Sequence, residues 1–145
     1  MDLRTDLRYD PATLYWLDVR GNTARVGISP LVQESTGSFV AVQFSVPGAA
    51  LTRGESFGST EAEKHVGQLK APVSGRLLRV NEAVTENPRL LNTDPYGEGW
   101  LAEFEMTNAG AELPLLVQGE AAVRTFFETE IKKYQDKGWL AEGAG

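Results

Sequence analysis

Short runs in which hydrophobic and polar residues alternate, separated by glycine or proline, fill the first two thirds of the chain. Such alternation is typical of β-strands that bury one face. We expect strands at about 14–19, 23–28, 38–46, 55–62, 67–71, 76–80 and 100–106. Ser29-Pro30 can start a helix that Gly37 ends, because serine is a good N-cap and proline fits the first turn. Residues 82–86 predict a second short helix.

Two of these strands also predict which side chains share a face, because successive side chains of a strand point to opposite sides. The alternation in 38–46 gives two sets, Phe39, Ala41 and Gln43 on one face and Val40, Val42 and Phe44 on the other. The alternation in 100–106 puts Trp100 and Phe104 on the same face.

The last quarter of the chain has a different pattern. Apolar residues recur there at helical spacing, namely Val123, Phe126, Phe127, Ile131 and Tyr134. This spacing predicts an amphipathic helix over about 119–137, with Gly138 just past its end. We therefore expect one domain over residues 1–145, a mainly β sandwich or flattened barrel with short helices and a C-terminal amphipathic helix.

Composition excludes several kinds of protein. The 145 residues carry a net charge of −6, which argues against nucleic acid as a partner and suits docking onto basic clefts of other proteins. The chain has no cysteine, and His65 is its only histidine, so we expect no disulfide and no multi-histidine metal site. No nucleophile–base pair with defensible spacing is present, so we expect no catalytic residues.

The sequence also predicts where the protein works. No apolar run is long enough to cross a bilayer, so we expect no membrane partner. The first ten residues, MDLRTDLRYD, contain acids where a signal peptide has a basic start and an apolar core. The expected address is the cytoplasm.

One lysine stands apart from the other four. Lys64 lies in the short polar segment between the strands expected at 55–62 and 67–71, whereas three lysines fall in the C-terminal helix and Lys70 at a strand end. A tight turn there would present one primary amine on a rigid base to a modifying enzyme. A solvated hairpin tip without a function fits the same pattern.

A longer stretch of sequence resembles a known family. The segments FGSTEAEKHVGQLKAPVSG and NPRLLNTDPYGEGWL are similar to the lipoyl region of glycine cleavage H proteins, with the string NP-x-L-x-N-x-x-PY-x-x-GW the most specific part. The similarity covers about residues 9–107. The resemblance implies a lipoyl-domain-like barrel-sandwich hybrid, or hammerhead, with lipoic acid amide-linked to Lys64 as a swinging arm.

The resemblance implies roles for further residues and for partners. Glu61 matches the family's recognition acid. Glu63 and His65 depart from the family pattern and lie where they can tune or shield the arm, and we expect Gly75 and Gly58 to serve backbone geometry. The implied partners are a lipoate ligase or a lipoyl transferase or synthase, and enzymes that load and unload the arm. We expect a monomer that is the protein substrate of these enzymes.

Departures from the family pattern leave the pathway open. Thr13-Leu14-Tyr15-Trp16 replaces an EHEW-like opening, and the residues beside Lys64 are unusually charged. The chain also resembles H-protein-like lipoate-binding proteins of sulfur oxidation, whose partners are heterodisulfide-reductase-like enzymes, and we lean slightly to that group. The alternatives are an H protein that carries an aminomethyl group between the glycine cleavage P, T and L proteins, and an unmodified H-like scaffold. A biotin carrier is less favoured, because methionines usually flank the lysine in that class.

Overall fold

The computed structural model describes residues 1–63 and 65–140, and two antiparallel sheets make up its body, as the alternating patterns predict. The strands are β1 (Arg8–Tyr9), β2 (Tyr15–Arg20), β3 (Thr23–Ile28), β4 (Phe39–Phe44), β5 (Ala50–Leu51), β6 (Ser56–Ala62), β7 (Val66–Lys70), β8 (Gly75–Val80) and β9 (Ala102–Met106). One sheet has the order β1-β2-β3-β9-β8-β5, and the other has the order β4-β6-β7.

Short helices connect these strands, and one long helix follows them. The helices are α1 (Pro30–Thr36), α2 (Glu82–Glu86), α3 (Leu90–Thr93), α4 (Ala109–Glu112), a 3-10 turn (Leu113–Leu115) and α5 (Glu120–Asp136). The Ser29 side chain accepts a hydrogen bond from the Val32 amide and caps α1, and Gly37 ends that helix at a φ of +88°. Both ends of α1 thus lie where its capping signals predict them. None of the helices in the described ranges is long and apolar enough to cross a bilayer.

The main hydrophobic core lies between the two sheets. Phe57 of β6 and Phe104 of β9 are fully buried, and their rings meet edge to face with centroids 5.3 Å apart. An aromatic pair of this geometry joins one sheet to the other and contributes about 1 kcal/mol beyond the area it buries. The strand that carries the candidate site is therefore fixed to the body of the protein through Phe57.

The predicted faces of β4 are wrong at its first residues. Phe39 and Val42 are both buried, while Val40 is 56% exposed, so the inward side chains do not follow strict alternation. The cause is a register shift between Phe39 and Ala41 in the pairing with β6. A β-bulge of this kind adds one residue to a strand and resets which side chains face inward.

The prediction that Trp100 and Phe104 share a face is also wrong. Trp100 precedes β9, and its ring lies 4.3 Å from the Arg25 guanidinium on the outer side of the sheet. Glu103 accepts hydrogen bonds there from Arg25 and Arg79. Partial burial favours a higher pKa for Glu103, but these two hydrogen bonds outweigh it and hold the pKa below its usual range.

The long helix α5 packs against the N-terminal part of the chain. Val123 and Phe127 are fully buried in a second apolar cluster with Tyr9 and Trp16. The Phe127 ring meets the Tyr9 ring edge to face at 4.8 Å, and the Tyr9 hydroxyl is hydrogen-bonded to the Tyr96 hydroxyl at 2.6 Å. These contacts set the direction of α5 and the place where its last turn lies.

Candidate functional site

The hairpin of β6 and β7 carries the candidate site at its tip. Glu61 pairs with Val66, and the Ala62 amide donates a hydrogen bond of 2.7 Å to the His65 carbonyl. The chain therefore reverses between Ala62 and His65, where the sequence predicts a turn. Lys64 lies outside the described residues, so its presentation and the type of the turn stay predictions.

The base of the tip is held by neighbouring backbone. The Glu63 amide donates to the Ser38 carbonyl at 3.1 Å, next to the start of β4. The Asn92 side chain accepts from the Phe39 amide at 2.9 Å and donates to the Gly37 carbonyl at 2.8 Å. Asn92 thereby fixes the connection from α1 to β4, and β4 pairs with β6 of the hairpin. A hairpin supported in this way loses less conformational entropy when a partner binds.

The side chains beside the tip are open to solvent. Glu61, Glu63 and His65 are exposed. None of the three side chains has a hydrogen bond or an ion pair with another described residue. They are therefore available to an approaching protein, although their predicted roles in recognition and tuning stay predictions.

A cleft of about 360 Å³ runs along the outer edge of β7 and begins at His65. Its other wall comes from α1 and from the turn before β2. The side chains that the sequence analysis did not connect with the site include Thr13, Tyr15, Val32, Ser35, Thr36 and Tyr134. Burial raises the pKa of Tyr15, so its hydroxyl stays protonated at neutral pH. A cleft of this form can shelter a flexible chain that starts near residue 64.

A buried carboxylate holds the turn that supplies Thr13. Asp10 is 1% exposed and accepts hydrogen bonds from the Ala12 amide at 3.2 Å and the Thr13 hydroxyl at 2.8 Å. Arg53, which lies 43 residues away in sequence, pairs with the same carboxylate at 2.7 Å. Leu14 has a φ of +64°, a conformation that residues with a side chain rarely adopt. The Asp10–Arg53 pair thus stabilises a strained turn at the edge of the cleft.

Replacing Asp10 by alanine is expected to lower the free energy of unfolding by about 3 kcal/mol, because it leaves Arg53 and two turn donors without their buried acceptor. Urea denaturation followed by circular dichroism measures the change. The control is Asp18→Ala, which removes the exposed pair with Arg20 and is expected to cost at most about 1 kcal/mol. Equal losses in the two variants would show that burial of Asp10 contributes nothing.

Two glycines of the hairpin region lie against backbone. A Cβ at Gly75 would come within 2.1 Å of the Glu105 carbonyl oxygen, and a Cβ at Gly58 within 2.3 Å of the Gln43 carbonyl oxygen. These distances are far below van der Waals contact, so any side chain would push the neighbouring strands apart. The strand geometry gives a physical reason for the backbone role predicted for both residues.

The loop at residues 94–100, part of the motif that carries the sequence resemblance, connects distant parts of the domain. Trp16 Nε1 donates to the Pro95 carbonyl at 3.0 Å, and Tyr96 is hydrogen-bonded to Tyr9. A Cβ at Gly99 would come within 2.4 Å of the Leu90 carbonyl oxygen. The loop at 94–100 therefore fastens the N-terminal strands to α3, and its residue types follow from packing.

Comparison with known proteins identifies the family to which the chain is similar. A family model described as "Glycine cleavage H-protein" matches residues 7–129. The glycine cleavage system H protein of Corynebacterium jeikeium is 47% identical over 92 residues, which cover 63% of this chain and 72% of that protein. The H protein of Bacteroides thetaiotaomicron is 44% identical over 101 residues, covering 70% and 80% respectively.

A solved structure gives the same result. The crystal structure of a glycine cleavage system H protein from Mycobacterium marinum aligns with a TM-score of 0.67 and 37% sequence identity. The alignment covers 72% of this chain and 87% of that one. It confirms the mainly β, lipoyl-domain-like barrel-sandwich hybrid that the sequence resemblance implied.

Proposed function

This chain belongs to the glycine cleavage H-protein family, and we propose that it is a carrier protein with lipoate amide-linked to Lys64. The observation that supports this most directly is the hairpin, which reverses between Ala62 and His65 on a base held by Ser38 and Asn92. Lys64 is the residue with a primary amine in that reversal. We expect an amine between the exposed residues Glu63 and His65 to be accessible to a modifying enzyme while the sheet beneath it stays rigid.

The residues around the hairpin tip are compatible with a covalently attached lipoyl group. A lipoyl arm needs an exposed attachment point and room for an aliphatic chain. Glu63 and His65, the neighbours of Lys64 in sequence, are exposed, and the cleft along β7 adjoins His65. When bound, lipoate supplies a disulfide that can be reduced while a fragment is carried between enzymes. The chain has no cysteine of its own, so the sulfur chemistry comes from the group and the protein supplies position and recognition.

The partners follow from the same proposal. A lipoate ligase or a lipoyl transferase or synthase forms the amide, and Glu61, Glu63 and His65 are the exposed side chains that such an enzyme meets. The carrier then serves the glycine cleavage P, T and L proteins and carries an aminomethyl group. The relatives from Corynebacterium jeikeium, Bacteroides thetaiotaomicron and Mycobacterium marinum all bear the name of the glycine cleavage system. The slight preference for a sulfur-oxidation system with heterodisulfide-reductase-like partners gains no support from them.

Mass spectrometry tests the attachment. After incubation with lipoate, ATP and a lipoate ligase, the intact protein is expected to gain the mass of one lipoyl group, and peptide mapping is expected to place it on Lys64. Lys70 and the three lysines of the C-terminal segment, Lys132, Lys133 and Lys137, serve as internal controls in the same digest. An unchanged mass under conditions that modify a known H protein would refute the proposal, and a streptavidin-positive product would identify a biotin carrier instead.

A separate measurement tests the pathway. With the lipoylated chain, the P protein is expected to transfer an aminomethyl group from glycine, and the T protein is expected to remove it. If the P protein does not transfer an aminomethyl group to the lipoylated chain, the glycine cleavage assignment is contradicted. The assignment as a lipoyl carrier is unaffected by that result.

A further inference from the structure

The chain continues past α5 in a fixed turn. Gly138 has a φ of +72°, its amide donates to the Gln135 carbonyl at 3.0 Å, and the Trp139 amide donates to the Tyr134 carbonyl at 2.9 Å. These two hydrogen bonds are those of a Schellman motif, which usually adds an apolar contact between the residues at its ends. Trp139 and Tyr134 make that contact, with ring centroids 5.0 Å apart and nearly perpendicular planes. The helix end therefore holds the Trp139 ring in a defined place.

This turn lies beside the hairpin tip. Tyr134, Gly138 and Trp139 line a cavity of about 370 Å³ whose remaining walls come from the end of α1 and from His65. His65 is bonded to Lys64, so the helix end and the expected attachment point border the same part of the surface. We call Tyr134, Lys137, Gly138 and Trp139 the tail surface. The family match ends at residue 129, so all four residues lie beyond it.

The side chains of the tail surface are open to a partner. Trp139 is 51% exposed although it is large and apolar. Lys137 Nζ lies 4.4 Å from the centre of the Trp139 ring, and no carboxylate in residues 1–63 and 65–140 pairs with it. The other two lysines of α5 each pair with an acid about one turn away. The tail surface thus combines a rigid aromatic ring with a cation whose charge is not neutralised by an ion pair.

We propose that the tail surface is a docking site for the enzyme that attaches lipoate, and that it receives an apolar side chain of that enzyme with an acidic residue beside it. The inference rests on the proposed function, since it requires an enzyme that modifies Lys64. Tryptophan and tyrosine are enriched among the residues that contribute most to binding at protein interfaces. The charge of Lys137 favours a carboxylate on the partner, as electrostatic complementarity requires.

The chemistry of attachment favours this enzyme over the others. The attaching enzyme must bring its active site to the Lys64 amine itself. A specific interface covers about 800 Å² on each partner, which corresponds to a patch of about 16 Å radius. Such a patch centred beside His65 also covers Trp139, because the two residues line one cavity. Enzymes that act later meet the far end of a flexible arm, so they can work without touching the surface at its base.

Initial-rate kinetics of lipoylation test the proposal, with the lipoate ligase of the chain's own organism and the full chain as substrate. Trp139→Ala is expected to raise the KM for the chain about tenfold, as removal of an interface anchor does. The kcat is expected to stay unchanged, because the Lys64 amine and the hairpin remain in place. Lys137→Glu is expected to raise the KM about threefold, with a smaller effect at high salt.

A chain without the amine separates binding from chemistry. Lys64→Arg cannot be lipoylated, so it is expected to act as a competitive inhibitor of lipoylation of the unmodified chain. Its inhibition constant reports binding to the ligase alone. Adding Trp139→Ala to this inhibitor is expected to weaken inhibition by the same factor of about ten.

Matched variants control for exposure, charge and folding. Leu115→Ala is expected to leave the KM unchanged, because Leu115 is equally exposed at 52% and does not line the cavity. Lys132→Glu alters the net charge as much as Lys137→Glu does and is also expected to have no effect. Trp139→Phe keeps an aromatic ring and is expected to raise the KM by less than about threefold. Thermal unfolding verifies that every variant is folded.

The outcomes separate this inference from the function on which it rests. A chain that is lipoylated on Lys64 with the same KM in Trp139→Ala and Leu115→Ala would overturn the inference alone. Equal effects of Lys137→Glu and Lys132→Glu would also overturn it, because the partner would then lack the acidic residue. Weaker loading by the P protein with unchanged kinetics of lipoylation would assign the surface to another enzyme and overturn the inference too. Failure to lipoylate Lys64 in the unmodified chain would overturn the proposed function.

Discussion

Arginine in place of Lys64 is expected to abolish lipoylation and, with it, all transfer by this carrier. Amide formation needs a primary amine that can lose its proton, and the arginine guanidinium stays protonated and does not form the same bond. Stability is expected to change by no more than about 0.5 kcal/mol, because the substitution falls between the exposed residues Glu63 and His65 and keeps the charge. Intact mass, thermal unfolding and the transfer assay measure the three quantities.

Lys70→Arg is the matched control for this experiment. Lys70 is exposed and ends β7, the strand that follows the tip. It is expected to leave lipoylation and transfer unchanged. A lipoyl adduct that persists in Lys64→Arg would show that another lysine is the attachment point. Full partner function without an adduct would favour the unmodified scaffold.

Alanine in place of Gly75 is expected to lower the free energy of unfolding by about 3 kcal/mol or more, enough to unfold much of a marginally stable domain. The new Cβ would lie 2.1 Å from the Glu105 oxygen and 2.9 Å from its carbonyl carbon. Both atoms belong to the backbone of β9, which pairs with β8 along Gly75↔Met106. A side chain could rotate away, but a paired strand can yield only by breaking hydrogen bonds.

Gly67→Ala makes the same chemical change at a position with space. Gly67 lies in β7, and the nearest atom to its new Cβ is the Thr60 hydroxyl oxygen at 4.0 Å. This variant is expected to change stability by less than about 1 kcal/mol, because alanine fits a strand at least as well as glycine. Urea denaturation measures the free energy of unfolding of both variants. Lipoylation of the folded fraction of each variant is measured in parallel. Similar losses would mean that the contact with Glu105 does not limit stability.

Local patterns were sufficient to predict most of the elements. The strands expected at about 55–62 and 67–71 run from Ser56 to Ala62 and from Val66 to Lys70. The helix expected over about 119–137 runs from Glu120 to Asp136. Alternation, helical spacing and the glycine and serine caps act over a few residues, so a single sequence contains them. The hairpin around Lys64 is predictable for that reason.

Features that depend on a distant partner were not predictable in the same way. The bulge in β4 arises from its pairing with β6, and the face of Trp100 depends on arginines of β3 and β8. The Asp10–Arg53 pair joins residues 43 positions apart. Each is settled by which strands become neighbours, and hydrophobic periodicity carries no information about that choice.

The sequence by itself determined that one lysine lies between two strands, that the chain has no cysteine, and that its motifs are those of a known carrier family. Only the tertiary structure decided that Thr13, Ser35 and Trp139 line two adjoining cavities that both reach His65. They belong to a turn, a short helix and a helix end that are far apart along the chain. Packing of α5 on Tyr9 and of α1 beside the hairpin brings them together, because burying apolar area favours contact whatever the separation in sequence.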